Sequence, residues 1–94
     1  MKQNIVKKKS GISSLKNSNS DELRLIVLHN DDVNTFDHVI DSLIEICRHD
    51  SLQAEQCAFI THYKGKCDVK SGSYTELSPI RLALLERGLQ VTID

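Results

Sequence analysis

The stretch LRLIVLHNDDVNTFDHVIDSLIEICRH, residues 23–49, decides the fold. Its first seven residues are rich in Leu, Ile and Val on both alternating faces, which predicts a strand inside a sheet rather than at its edge. The run stops at Asn30-Asp31-Asp32, where short polar side chains can bond their own backbone in a turn. From Phe36 the apolar residues recur at Val39, Ile40, Leu43, Ile44 and Cys47, the stripe of an amphipathic helix. Asn34 or Thr35 can cap that helix, and Asp37 falls in its first turn, where the helix dipole favours an acid. The unit is therefore strand, acidic junction, helix.

The rest of the chain extends this unit. HDSLQAEQCAFITHYKG, residues 49–65, predicts a second helix. Asp50 and Gln53 have the spacing of a capping box, and Gly65 ends the helix. Leu52, Phe59 and Ile60 supply its apolar contacts. A second stripe, Ala54, Cys57, Ala58, Thr61 and His62, consists of small residues ending in a histidine. KCDVKS, residues 66–71, alternates Cys67 and Val69 with Lys66, Asp68 and Lys70, the pattern of a half-exposed strand. SGSYTEL, residues 71–77, reads as a turn or irregular segment. SPIRLALLERG, residues 78–88, predicts a short third helix with Ser78 as N-cap, Pro79 first and Gly88 just past the end. LQVTID, residues 89–94, turns Leu89, Val91 and Ile93 inward as a last strand. The order β-α-α-β-α-β makes an α+β two-layer domain, with three helices on one face of a three-stranded sheet.

Length and charge set further bounds. Ninety-four residues suit one small domain. No apolar run approaches the roughly 18–20 residues of a membrane span, and the N-terminus lacks the apolar segment of a signal peptide. A cytoplasmic protein with no membrane partner is expected. Cys47, Cys57 and Cys67 are odd in number and include no close pair, which fits a reducing compartment. Residues 1–20 carry five lysines and no acid, whereas residues 21–94 carry a net charge of −6. The leading segment, polar and rich in Ser, Asn and Lys, cannot bury enough surface to offset the entropy of ordering. Residues 1–21 are therefore expected to be a disordered basic extension, followed by one domain at 22–94. Lysines without arginine or aromatic residues, attached to an acidic body, do not point to a nucleic-acid partner.

These residues could build three kinds of site. For catalysis, Cys57 and His62 are five apart on one helix and so diverge by about 140° at roughly 100° per residue. Cys47 lies in the core stripe, and no Ser stands in a strand-turn-helix elbow. No nucleophile, base and orienting group come together, so no enzyme is expected. For metal, His29, His38, His49 and His62 are dispersed. Asp32, Asn34 and Asp37 lack the glycine and the distal glutamate of a calcium loop, and no short-spaced zinc pair exists. A small metal-binding regulatory module built on His29, Asp31, Asp32 and His62 is the alternative reading; no metal and no other cofactor enter the leading one. The third kind is a pocket for a cation. If the two helices pack side by side, Ala54, Ala58 and Thr61 leave a hollow beside Phe36 and Val39. Its rim would carry Asn30, Asp31 and His62, acceptors suited to the three donors of an α-ammonium group.

At their mutual spacing, LHNDDVNTFDHVIDSLIEIC and QAEQCAFITHYKGKC resemble the ClpS family, the adaptors of the Clp protease system. The likeness is good over residues 25 to about 70 and looser beyond. It implies a β-α-α-β-α-β domain like the C-terminal domain of the ribosomal stalk protein, with an antiparallel sheet. It implies an adaptor that binds the free N-terminal residue (Leu, Phe, Tyr or Trp) of N-degron proteins. The bound protein is delivered to a Clp AAA+ unfoldase, ClpA- or ClpC-like, and its ClpP protease. By this resemblance Asn30, Asp31 and His62 hold the α-amino group. Asp32, Asn34, Phe36, Val39, Ala58, Thr61 and Leu89 surround the side-chain pocket. The adaptor is expected to act as a monomer, and its N-terminal extension is the part that the unfoldase engages. Three positions depart from the family pattern: Asn34 stands where Thr is usual, and Phe36 and Ala58 stand where methionines are common. Residues 70–88 are shorter than usual, and Pro79 is expected to shorten the third helix.

Overall fold

A computed structural model describes residues 22–94, so the extension expected at 1–21 lies outside the described residues. The elements are β1 (Arg24–His29), α1 (Phe36–Cys47), α2 (Ser51–Lys64), β2 (Lys66–Gly72), α3 (Tyr74–Glu86) and β3 (Gln90–Ile93). The strands form one antiparallel sheet in the order β2-β1-β3, with β1 central as its apolar run predicts. Ile26, Val27 and Leu28 are buried in succession, with Ile26 and Leu28 in the core under the helices, as suits the middle strand of the sheet.

Each helix contributes buried side chains to a single core. Leu43 and Cys47 come from α1, Ala54 and Cys57 from α2, and Leu77 and Leu84 from α3. They meet Ile26, Leu28, Val69, Leu89 and Val91 of the sheet side. Burying each large aliphatic chain contributes about 1.5–3 kcal/mol relative to leaving it in water. On α2 the inward residues are the small ones. Ala54, Cys57, Ala58 and Thr61 are buried, while Leu52, Phe59 and Ile60 are exposed. The expectation that Leu52, Phe59 and Ile60 supply the helix's apolar contacts is thus corrected for the core: the three are exposed, and Phe59 packs only at the surface, against Phe36. Small side chains let α2 lie close against its neighbours, which leaves the large ones facing outward.

The helix ends follow local chemistry. Thr35 caps α1, accepting from the His38 N–H at 3.1 Å. Asp50 caps α2, accepting from the Gln53 N–H at 2.8 Å, and Gly65 closes it at φ 97°, a backbone conformation that side chains disfavour.

The third helix needs the larger correction. It does not begin at Ser78-Pro79. It begins at Tyr74, runs 13 residues and holds Pro79 inside. Residues 71–77, expected to be irregular, supply the end of β2 and the first turn of α3. Ser73 and Glu76 make a full capping box: the Glu76 N–H donates to Ser73 Oγ and the Ser73 N–H donates to Glu76 Oε1. An interior proline costs about 3 kcal/mol through a lost hydrogen bond and a steric clash. The capping box and the complete burial of Leu77 and Leu84 offset that cost. Pro79 therefore does not shorten the helix.

Between Ile26 and Val27 the β1–β2 register slips, leaving Val69 as an extra residue on β2. Its carbonyl accepts from Nε2–H of the buried His49 at 2.6 Å. That bond fixes the His49 tautomer and ties the α1–α2 connection to the sheet. No helix among the described residues is long and apolar enough to cross a membrane.

Candidate functional site

The junction between β1 and α1 is held at three points. The Asn30 N–H donates to the Gly65 carbonyl at 2.9 Å, which brings the loop to the C-terminal end of α2. Asp31 organises the turn. Its Oδ1 accepts from the Val33 and Asn34 N–H groups, both at 2.8 Å, and its Oδ2 accepts from Asn34 Nδ2 at 2.9 Å. Asn34 Nδ2 donates in addition to the Gly88 carbonyl at 2.9 Å. Gly88 has φ 85°, so this turn suits glycine, and Asn34 latches the acidic loop to it.

Behind the loop lies a cavity of about 50 Å³. Its walls are Leu28, Val39, Ala58 and Thr61, with Phe36 at the rim. Leu28, Ala58 and Thr61 are buried, so this floor is part of the core. The Thr61 hydroxyl donates to the Cys57 carbonyl at 2.7 Å, so it is already engaged. His29, Asn30, Asp31, Asn34 and His62 complete the lining and supply its polar groups. A hollow beside Phe36 and Val39 is present, lined from α2 by Ala58, Thr61 and His62; Ala54, expected to help form it, is buried in the core and lies outside its lining.

Aromatic rings shape the rim. Phe36 lies 5.1 Å, centroid to centroid, from both Phe59 and His62. His62 meets Tyr63 edge-on at 4.7 Å, and Phe59 stacks on Tyr63 at 6.2 Å. The imidazole of His62 is thereby oriented by ring packing.

The electrostatics are uneven. Partial burial pushes the Asp31 carboxyl up, but hydrogen bonds from Asn34 and Val33 and the nearby His38 outweigh it and hold the pKa below the ordinary 3.8. Asp31 is thus a fixed negative charge at neutral pH. A carboxylate has about four acceptor sites. The loop's own donors fill three of them, leaving one for a ligand.

Two residues of the expected set lie outside the cavity lining. Asp32 is exposed on the loop, and Leu89 is sealed in the core at 1% exposure. Leu28 and His29 line the cavity and were not expected. The signal for them was present, since they end the strand that delivers the loop.

The alternative metal reading finds no geometry. Among the described residues no three His, Cys, Asp or Glu side chains converge as metal ligands. Three of the four histidines have structural partners. His29 Nε2 hydrogen-bonds Thr92 Oγ1 at 2.8 Å, His38 Nε2 bonds the Arg87 carbonyl at 2.7 Å, and His49 bonds Val69. The cysteines lie elsewhere. Burial pushes the Cys47 thiol up to about 11 and Cys67 to about 12, and raises Cys57 as well, so all three stay protonated at neutral pH.

Comparison with known proteins bears on the family and the fold. No curated protein sequence matches the chain. Among solved structures, that of Agrobacterium tumefaciens ClpS2 bound to L-phenylalaninamide is similar, with a TM-score of 0.65 at 20% sequence identity. The alignment covers 80% of this chain and 96% of that one, and at this identity the likeness is one of fold. The family model of the ATP-dependent Clp protease adaptor protein ClpS matches residues 19–92, nearly all of the folded part, and on that match the chain belongs to the ClpS family.

Proposed function

We propose that this protein is a non-enzymatic adaptor that grips the free N-terminal residue of N-degron proteins and presents them to a Clp AAA+ unfoldase and its ClpP protease. One observation carries the reading: a single cavity whose lining joins the apolar Leu28, Phe36, Val39 and Ala58 to the polar Asn30, Asp31 and His62. An N-terminal residue has that same division, an apolar side chain and an ammonium group joined at one carbon. The ammonium has three donors and requires acceptors. Asn30 offers its side-chain oxygen, Asp31 its free lone pair and charge, and His62 a ring nitrogen. Phe36, Val39, Ala58 and Thr61 contact the side chain, and Asn34 holds the loop in place. In this role Asp32 and Leu89 act from outside the cavity, through the loop and the core. The related ClpS2 structure holds L-phenylalaninamide, a molecule with a free α-amino group beside an apolar side chain. The partner is a Clp unfoldase of the ClpA or ClpC type, engaged through residues 1–21, and the adaptor works as a cytoplasmic monomer.

The test is a pair of peptides identical except for acetylation of an N-terminal Leu. The free form is expected to bind and the acetylated form to lose binding, because the acetyl group removes the charge and two donors. Equal affinity of the two forms refutes the reading.

A further inference from the structure

Resting on that reading, we infer that His38 and Arg87 are positioning residues for amino-terminus recognition: through the turn between α3 and β3 they fix Asn34, and through Asn34 they fix the carboxylate of Asp31. Asp31 has one acceptor site left for an ammonium, and the direction of that site depends on what holds the others. One of the holders is the Asn34 side chain. Its NH2 group has two hydrogens. Both are engaged, one with Asp31 Oδ2 at 2.9 Å and one with the Gly88 carbonyl at 2.9 Å. The amide plane is thereby set from two sides. Asp31 supplies one of them, so independent support for the carboxylate has to come from the turn.

Gly88 is exposed and has no side chain to anchor it. The anchor is the residue before it. The Arg87 carbonyl accepts from His38 Nε2–H at 2.7 Å. A carbonyl only accepts, so Nε2 carries the proton whenever this bond is made. The Arg87 guanidinium returns to the same helix, where it pairs with Glu45 and donates to Ser42 Oγ at 3.4 Å. Ser42 is fully buried, and its hydroxyl donates to the His38 carbonyl at 2.8 Å. Asn34, His38, Ser42 and Glu45 thus grip two successive residues of one turn. Their spacing of four, four and three residues is that of one helical row, and it runs beside the apolar stripe of α1. The apolar row enters the core, while this polar row receives the turn. The two grips on Arg87 differ in weight. Its ion pair with Glu45 is partly in water and contributes little by itself. The half-buried His38 bond is better shielded and carries more of the anchoring.

The test is a double-mutant cycle on the affinity for a peptide with a free N-terminal Leu. His38→Leu keeps the bulk of the side chain and removes the donor. It is expected to weaken binding about 3- to 10-fold, the equivalent of one hydrogen bond. His38→Gln restores a donor at the same reach and should bind within about twofold of the wild type. Arg87→Met removes only the guanidinium and should weaken binding about 2- to 5-fold, and it keeps the test open if His38→Leu does not fold by circular dichroism. The decisive measurement repeats both substitutions on Asn34→Ala. If His38 and Arg87 act through Asn34, neither changes affinity further there. A general loosening of the fold would instead weaken binding by the same factor in both backgrounds, and that result overturns the inference. So does wild-type affinity in both His38→Leu and Arg87→Met. The N-acetylated Leu peptide separates the two levels. If the wild type binds it like the free form, recognition of the amino terminus itself fails; if the wild type does not bind it, an additive cycle counts against His38 and Arg87 alone.

Discussion

Asp31→Asn is the substitution that most directly separates a built loop from an acidic turn. In the native loop one carboxylate accepts three hydrogen bonds at 2.8, 2.8 and 2.9 Å. An asparagine in the same rotamer keeps one oxygen for the Val33 and Asn34 N–H groups. Its NH2 then faces Asn34 Nδ2, donor against donor. Flipping the amide only moves the conflict to the two backbone N–H groups. At least one charge-assisted bond is lost, worth about 1.5–3 kcal/mol when shielded from water. Val33 is 87% exposed and Asn34 only partly buried, so water replaces part of this. A loss of about 1–2 kcal/mol in unfolding free energy at pH 7 is expected, measured by urea denaturation. The pH dependence adds a second check. The folded pKa of Asp31 is lowered, so its contribution is fully present above the unfolded value of about 3.9 and is lost as pH falls through the folded one. The gap between wild type and variant should therefore hold from pH 7 to about 5 and close below about 4. A difference at pH 7 within the surface-substitution range of about 0.5 kcal/mol refutes the argument, as does a gap that widens in acid.

Two further outcomes follow from other parts of the molecule. Pro79→Ala restores a backbone donor inside α3 and should stabilise the protein by about 1–3 kcal/mol in the same denaturation assay, while a destabilised variant would mean that the ring fits the helix without strain. Deleting residues 1–21 should leave peptide affinity unchanged and abolish delivery in a reconstituted unfoldase-protease degradation assay; full degradation without them would remove the proposed handle.

Much of this was legible along the chain, and the illegible parts have identifiable causes. The apolar run Leu25–Leu28 marked the central strand because a strand buried on both faces has no polar alternation. The i, i+3, i+4 stripe from Phe36 to Cys47 marked α1. The small-residue stripe of α2 announced a hollow, because alanines at helical spacing cannot fill a layer. Other local signals competed, and the weaker-looking one won. Ser78-Pro79 has the form of a helix start, yet Ser73-x-x-Glu76 is also a start. Burial of Leu77 between the two tipped the balance toward the earlier one.

The sequence by itself thus determined the order of the elements, the acidic junction and the residue types that could receive an amino terminus. It could not show how many of those acceptors remain free, because that depends on contacts between distant residues. Asn34 meets Gly88 and Asn30 meets Gly65 only after the chain has closed its sheet, and these contacts decide how the loop is held. Pocket size is likewise a tertiary quantity. It depends on where the rings of Phe36, Phe59 and His62 come to rest, which is settled by packing between two helices and not by the spacing of residues along either one.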